Sequence, residues 1–152
     1  MPLIIGEKAP DFTLQTDDGT PITLSQLRPS KVVLYFYPKD NTPGCTKEAC
    51  DFRESFDAFK ATGALVLGIS KDSMQSHVRF RAKYHLPFPL LVDINGEVCK
   101  LYGVLNEKSL WGRIGLGIER ATFLIDETGL IAAIWRKVTV KDHVKQVYDA
   151  LI

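Results

Sequence analysis

Residues Val32 to Tyr37 read VVLYFY and constrain the fold more than any other stretch of the chain. The run is β-branched and aromatic, with no polar residue to face water. Alternation would mark a half-buried strand; a continuous run marks a central strand covered on both faces. Pro38 ends it, because proline has no N–H for the ladder. A helix signal follows at once, and LVLGI at residues 65–69 forms a second buried strand. Strand, helix and strand in this order point to an α/β sheet.

The rest of the chain fills in that sheet. Asp18-Gly19, between Phe12-Thr13-Leu14 and Ile22-Thr23-Leu24, predicts an N-terminal β-hairpin. Residues 43–61 read as one helix, stopped by Gly63. Helical spacing recurs over Ser73 to Tyr84, Glu97 to Tyr102 and Val140 to Leu151. Leu90-Leu91-Val92 reads as a short strand. Ala121 to Ile125 and Leu130 to Trp135 flank a hairpin loop at Asp126–Gly129. The expected architecture is α/β: a central sheet of mixed strand direction flanked by helices. At 152 residues the chain suits a single domain, 1–152, with a core of its own.

Charge and hydropathy remove several function classes. Lys plus Arg total 19 against 18 acidic residues, a net charge of +1. Such balance gives no electrostatic case for nucleic acid or an anionic membrane. The longest apolar runs, such as GALVLGI, are about seven residues, against about eighteen for a membrane span. The opening MPLIIGEKAPDF lacks the basic and apolar regions of a signal peptide. Three cysteines, an odd number, do not suggest a secreted disulfide framework. The expectation is a cytoplasmic protein whose disulfides are transient and catalytic.

Chemistry concentrates in the first helix, Asn41 to Gly63. Thr42 suits the N-cap and Pro43 the first helical position. Cys45 then falls in the first turn, where unpaired amides and the helix dipole favour a thiolate. On a helical wheel Cys45, Ala49, Phe52, Phe56 and Phe59 share an apolar stripe that faces the sheet. Cys50 lies about 140° away on the wet face, near Glu54 and Asp57. In an intact helix the Cα atoms of Cys45 and Cys50 stand about 8.7 Å apart. A disulfide tolerates about 7 Å. If the two cysteines pair, residues 43–51 must unwind.

Pro38-Lys39-Asp40-Asn41-Thr42-Pro43-Gly44-Cys45 has the form P-x-x-x-T-x-x-C and resembles the active-site signature of the peroxiredoxins. The following TKEACDF, with a second cysteine five residues on, is similar to the bacterioferritin comigratory protein (peroxiredoxin Q) subgroup. GEKAPDFTL, FPLLVD and IERATFLID extend the resemblance over nearly the whole chain.

The resemblance implies a thioredoxin-like fold and reduction of hydroperoxides, with no cofactor. It implies that Cys45 is the peroxidatic cysteine and passes through a sulfenic acid. Cys50 matches the resolving cysteine, and thioredoxin or a similar dithiol matches the reductant. Thr42 matches the threonine that orients peroxide and thiolate, although an N-cap role competes for its hydroxyl. Pro38 matches the proline that shields the pocket. Arg120 matches an arginine brought from a later strand; by itself it would read as a strand-edge cation paired with Glu119 or Glu127. Glu48 is placed to pair with Arg120, or simply to complement the helix dipole. Members of the subgroup are often monomers, and a self-contained cysteine pair removes the need for a partner subunit.

Other features carry less. Cys99 reads as a packed or semi-exposed spectator. His77, His85 and His143 lack ligand spacing, so no metal is expected. GRIGLG at 112–117 reads as a flexible loop rather than a dinucleotide motif. Leu110 and Trp111 suit a pocket mouth, a partner surface or core packing alike. Two other functions share parts of the pattern. One is a thioredoxin-type dithiol–disulfide exchanger, which would show C-x-x-C and a proline before a later strand, where this chain has Glu119-Arg120-Ala121. The other is a redox-responsive holdase.

Overall fold

The computed structural model describes residues 2–110 and 113–152. The predicted buried strand is β3, Lys31–Phe36, and every residue after Lys31 is buried. It pairs in parallel with β4, Ala64–Ser70, and β4 pairs in parallel with β5, Leu90–Val92. On its other side β3 runs antiparallel to β8, Ala121–Ile125, which pairs with β9, Ile131–Trp135. The N-terminal hairpin, β1 (Thr13–Thr16) with β2 (Pro21–Thr23), joins the far edge through β5. Among the described residues the main sheet has the order β2-β1-β5-β4-β3-β8-β9. The directions are mixed, as expected.

Alternate residues of β3 feed two apolar clusters, because successive side chains point to opposite faces. Val32, Leu34 and Phe36 pack with Phe12, Tyr102 and Phe123. Val33, Tyr35 and Tyr37 pack with Cys45, Phe52, Phe59, Phe80 and Val147. The second face is covered by helices α1 (Pro43–Glu54), α2 (Phe56–Ala61), α3 (Met74–Tyr84) and α5 (His143–Leu151). A fifth helix, α4 (Glu97–Leu101), contributes Val98 and Cys99 to the first cluster. Each fully buried Phe or Leu in these clusters contributes about 1.5–3 kcal/mol.

Two expectations are corrected. The stretch 43–61 is not one helix: it breaks at Ser55, whose φ of −100° and ψ of 6° leave the helical region. Beyond the break α2 lies over β4, while α1 lies along α5. A straight rod cannot follow both, and serine is a weak helix former that yields there. The reading of 112–117 as a loop also fails where it can be followed. Arg113–Ile118 is strand β7, antiparallel to β6, Leu105–Leu110. Interleaved glycines hid the period-two pattern of Ile114, Leu116 and Ile118, since glycine has low strand propensity. Trp111 and Gly112 lie outside the described residues. No helix among the described residues is long and apolar enough to cross a membrane.

Candidate active site

Sheet register builds the site. Phe36 of β3 sits opposite Ala121 of β8. Arg120, just before Ala121, therefore lies beside the end of β3, where the chain turns into α1. Tyr37 still bonds through its amide to the Ile69 carbonyl at 3.1 Å. Pro38, half-buried, has no N–H to continue that ladder. The chain leaves the sheet, passes Asn41 at φ 58°, and starts α1 at Pro43.

Cys45 is the third residue of α1 and is 2% exposed. The first intrahelical bond runs from the Thr46 amide to the Thr42 carbonyl at 2.8 Å. The amides of Gly44 and Cys45 precede it and have no acceptor within the helix. Thr42 occupies the N-cap position, but its side chain does not cap. Its hydroxyl donates to the Lys39 carbonyl at 2.8 Å, tightening the turn before the helix.

Arg120 spans the site. Its Nη2 lies 3.3 Å from the Cys45 sulfur and its Nη1 donates to Glu48 Oε1 at 2.7 Å. The expected strand-edge partners, Glu119 and Glu127, do not take that role. Glu48 is one turn beyond Cys45 on the same side of α1, 0% exposed. Gly44 makes room for the guanidinium: a Cβ there would stand 3.1 Å from Arg120 Nη2. Burial opposes the Arg120 charge, but the charges of Glu48 and Cys45 and the bonds to both outweigh it and hold the guanidinium protonated.

The charge on Glu48 is divided. Burial pushes its carboxyl up from 4.5 to about 7, against the pull of Arg120. Its Oε2 has no hydrogen-bond partner, and His143 Nε2 is 4.0 Å away. His143 instead meets the Thr122 hydroxyl at 2.8 Å. Burial, and then Arg120, press its pKa down to about 4, so the ring is neutral. A protonated Glu48 leaves the charge of Arg120 to the sulfur. Unfolding lets Glu48 ionise at its ordinary pH, so the unfolded chain loses this proton first as pH rises. Glu48 therefore costs stability progressively between pH 4.5 and about 7, up to about 3 kcal/mol. Glu48→Gln is expected to remove most of that pH dependence. Urea unfolding at pH 5 and pH 8 checks it, and an equal slope in both proteins would refute it.

The cysteines separate cleanly. All three are free. Cys50 lies on the same unbroken α1 as Cys45 and is half-buried rather than on a fully wet face. Cys99 is 0% exposed in the cluster on the opposite face of the sheet from Cys45. Burial, with Asp93 behind it, pushes the Cys99 thiol far up, and an inert core thiol is the result. The ligand-type atoms of Asp40, Asp72 and His77 come within 4.8 Å of one another. Sequence spacing missed this cluster because its members come from different elements. Its atoms are already engaged by hydrogen bonds within the chain.

The chain is similar to known proteins over nearly its whole length. Residues 5–134 match the AhpC/TSA family model. A putative peroxiredoxin of Coxiella burnetii is 53% identical over 151 residues, covering 99% of this chain and 100% of that protein. Among solved structures, a cysteine-to-serine variant of Xylella fastidiosa peroxiredoxin Q superposes with a TM-score of 0.93 at 39% identity, covering 99% of this chain and 96% of that one. The bacterioferritin comigratory protein of Xanthomonas campestris, studied for its alkyl peroxide reduction activity, has a TM-score of 0.88 at 42% identity, covering 92% and 89%. A helix-start cysteine touched by an arginine that immediately precedes the neighbouring antiparallel strand, on a thioredoxin-like sheet, thus sits in a chain that belongs to the AhpC/TSA family, in its bacterioferritin comigratory protein or peroxiredoxin Q branch.

Proposed function

We propose that Cys45 is the sulfur at which this thiol-dependent peroxidase reduces its substrate, acting within a single domain of residues 1–152. One observation carries the reading: Arg120 touches both the Cys45 sulfur and Glu48 at the start of α1. The guanidinium and the unpaired first-turn amides bring positive charge to the sulfur. They also stabilise the negative charge that develops when an O–O bond is broken.

The thiolate attacks the terminal oxygen of a hydroperoxide. An S–O bond forms, the O–O bond breaks, and the leaving alkoxide or hydroxide takes a proton to become alcohol or water. The sulfur is oxidised by two electrons to sulfenic acid and the peroxide is reduced. The Cys50 thiol then displaces the sulfenic oxygen as water, forming a Cys45–Cys50 disulfide. An external dithiol, thioredoxin or one like it, exchanges with that disulfide and leaves both cysteines reduced. The alkyl peroxide activity of the Xanthomonas relative supports organic hydroperoxides beside hydrogen peroxide as substrates. Pro38, half-buried where the chain leaves β3, is assigned the shielding of the pocket, and Thr42 sets the turn from which the helix starts.

Both cysteines lie within the intact α1, so the disulfide requires local unwinding. Cys50→Ser is expected to keep the first oxidation but lose catalytic recycling by a dithiol, at least about tenfold. Peroxide-treated parent protein should lose amide protection over residues 43–51, and Cys50→Ser should not. Unchanged protection in the oxidised parent would exclude the Cys45–Cys50 bridge.

A further inference from the structure

The densest hydrogen-bond network beyond the sulfur site surrounds Asp40, in the turn between β3 and α1. Asp40 Oδ1 accepts from the Tyr37 hydroxyl at 2.6 Å. Its Oδ2 accepts from the Ser76 hydroxyl at 2.8 Å and lies 2.7 Å from His77 Nδ1. Its amide donates to Asp72 Oδ2 at 2.9 Å, which also accepts from the Ser70 hydroxyl at 2.5 Å. The turn is thus fastened mainly to α3, which supplies Ser76 and His77, and to the β4–α3 connection.

The chemistry of His77 follows from its two neighbours. The ring is 0% exposed. Its Nε2 lies 2.9 Å from the Leu91 carbonyl of β5. A carbonyl oxygen only accepts, so Nε2 carries hydrogen. A neutral ring would then turn the Nδ1 lone pair toward a carboxylate oxygen, and two acceptors at 2.7 Å repel. A proton must lie between Asp40 and His77. Asp40 also accepts from the Tyr37 and Ser76 hydroxyls, so the shared proton is assigned to the ring, an imidazolium held by two acceptors. Burial works against that charge, but the hydrogen bond and charge of Asp40, the Leu91 carbonyl and Asp72 raise its pKa on balance. The groups facing the ring are Asp40 and Asp72 from the loops, Tyr37 from the end of β3, with ring centres 6.4 Å apart, and the Leu91 carbonyl from β5.

We propose that His77 is a positioning residue for peroxide reduction: as a buried cation it fixes the Asp40 turn, and with it Thr42 and the first turn of α1. The inference rests on the reading of Cys45 as the reacting sulfur. His77 touches neither sulfur nor peroxide. It acts through Asp40, one residue before Asn41 at φ 58° and two before the N-cap Thr42. Loss of the shared proton leaves two acceptors facing each other and loosens the turn. A misplacement of about 1 Å at a reacting group can cost up to about a hundredfold in rate. Because its folded pKa is raised, the stabilising proton is held in full below the ordinary histidine range and is lost as pH rises through the folded value.

The test is single-turnover oxidation of the reduced enzyme by hydrogen peroxide between about pH 6 and pH 9.5, with thermal melts run in parallel. The parent rate constant is expected to decline as pH rises through the raised folded pKa of His77, while the protein remains folded. His77→Gln is expected to lower the rate about tenfold or more across the range. Asp40→Asn offers an amide that donates to a neutral Nδ1, so it is expected to lower the rate about threefold near pH 7 and to abolish the alkaline decline. This variant decides the matter even if His77→Gln does not fold. A folded His77→Gln enzyme at the parent rate, or Asp40→Asn with the parent's alkaline decline, overturns the proposal. Cys45→Ser, run alongside, keeps the two readings apart: if it is inactive, only the role of His77 is lost, and if it still reduces peroxide, both fall.

Discussion

Cys45→Ser is expected to consume hydroperoxide at less than about one ten-thousandth of the parent rate, the scale on which a removed nucleophile registers. The serine hydroxyl occupies the same buried place beside Arg120. Oxygen at that position stays protonated at neutral pH and is a poor nucleophile toward an O–O bond. Stability should change little, since the two side chains differ by one atom and Arg120 can donate to a hydroxyl as well as to sulfur. The loss is therefore chemical. Peroxide consumption with a dithiol reductant measures it directly. Full activity in Cys45→Ser would end the assignment. Suppression of client aggregation that survives the substitution would point to a holdase, and insulin reduction without peroxide turnover would point to a dithiol exchanger.

Arg120→Ala should lower the rate constant for peroxide by about a hundredfold to a thousandfold, the range for removing one preorganised donor from developing charge. The substitution removes the cation that lies 3.3 Å from the Cys45 sulfur and the donor proposed to meet the charge that develops there. It also leaves Glu48 buried without its partner. Breaking a buried pair costs about 3–5 kcal/mol when the remaining charge is trapped. Here the cost is smaller, because Glu48, with its pKa already near 7, can take up a proton. Arg120→Lys is the informative control. It keeps the charge, but an ammonium cannot reproduce the two-armed contact to Cys45 and Glu48. It should recover stability more than rate. Stopped-flow oxidation and thermal melts on the two variants separate these effects. An Arg120→Ala enzyme that reacts at the parent rate would remove the guanidinium from the chemistry.

Much of this molecule is legible in its sequence. The run VVLYFY announced β3, and Asp18-Gly19 announced the hairpin at the sheet edge, where Gly19 adopts φ 86°. Thr42-Pro43 marked the start of α1, and the apolar stripe put Cys45 and Phe52 against the sheet. These signals are local: a strand or helix writes its period into consecutive residues. The break at Ser55 and the β6–β7 pairing were not legible. The first answers to what α1 and α2 pack against, and the second depends on a partner strand.

The order of the elements, the buried strand and a cysteine in the first turn of a helix were determined by the sequence, since each depends on residues within a few positions of one another. The meeting of Arg120 with Cys45, 75 residues away, and of His77 with Asp40, 37 away, was decided only by the tertiary structure. Side-chain period says which face a residue takes, while the order and register of strands say which distant residue shares that face. With β8 laid antiparallel beside β3, the guanidinium arrives where the helix begins.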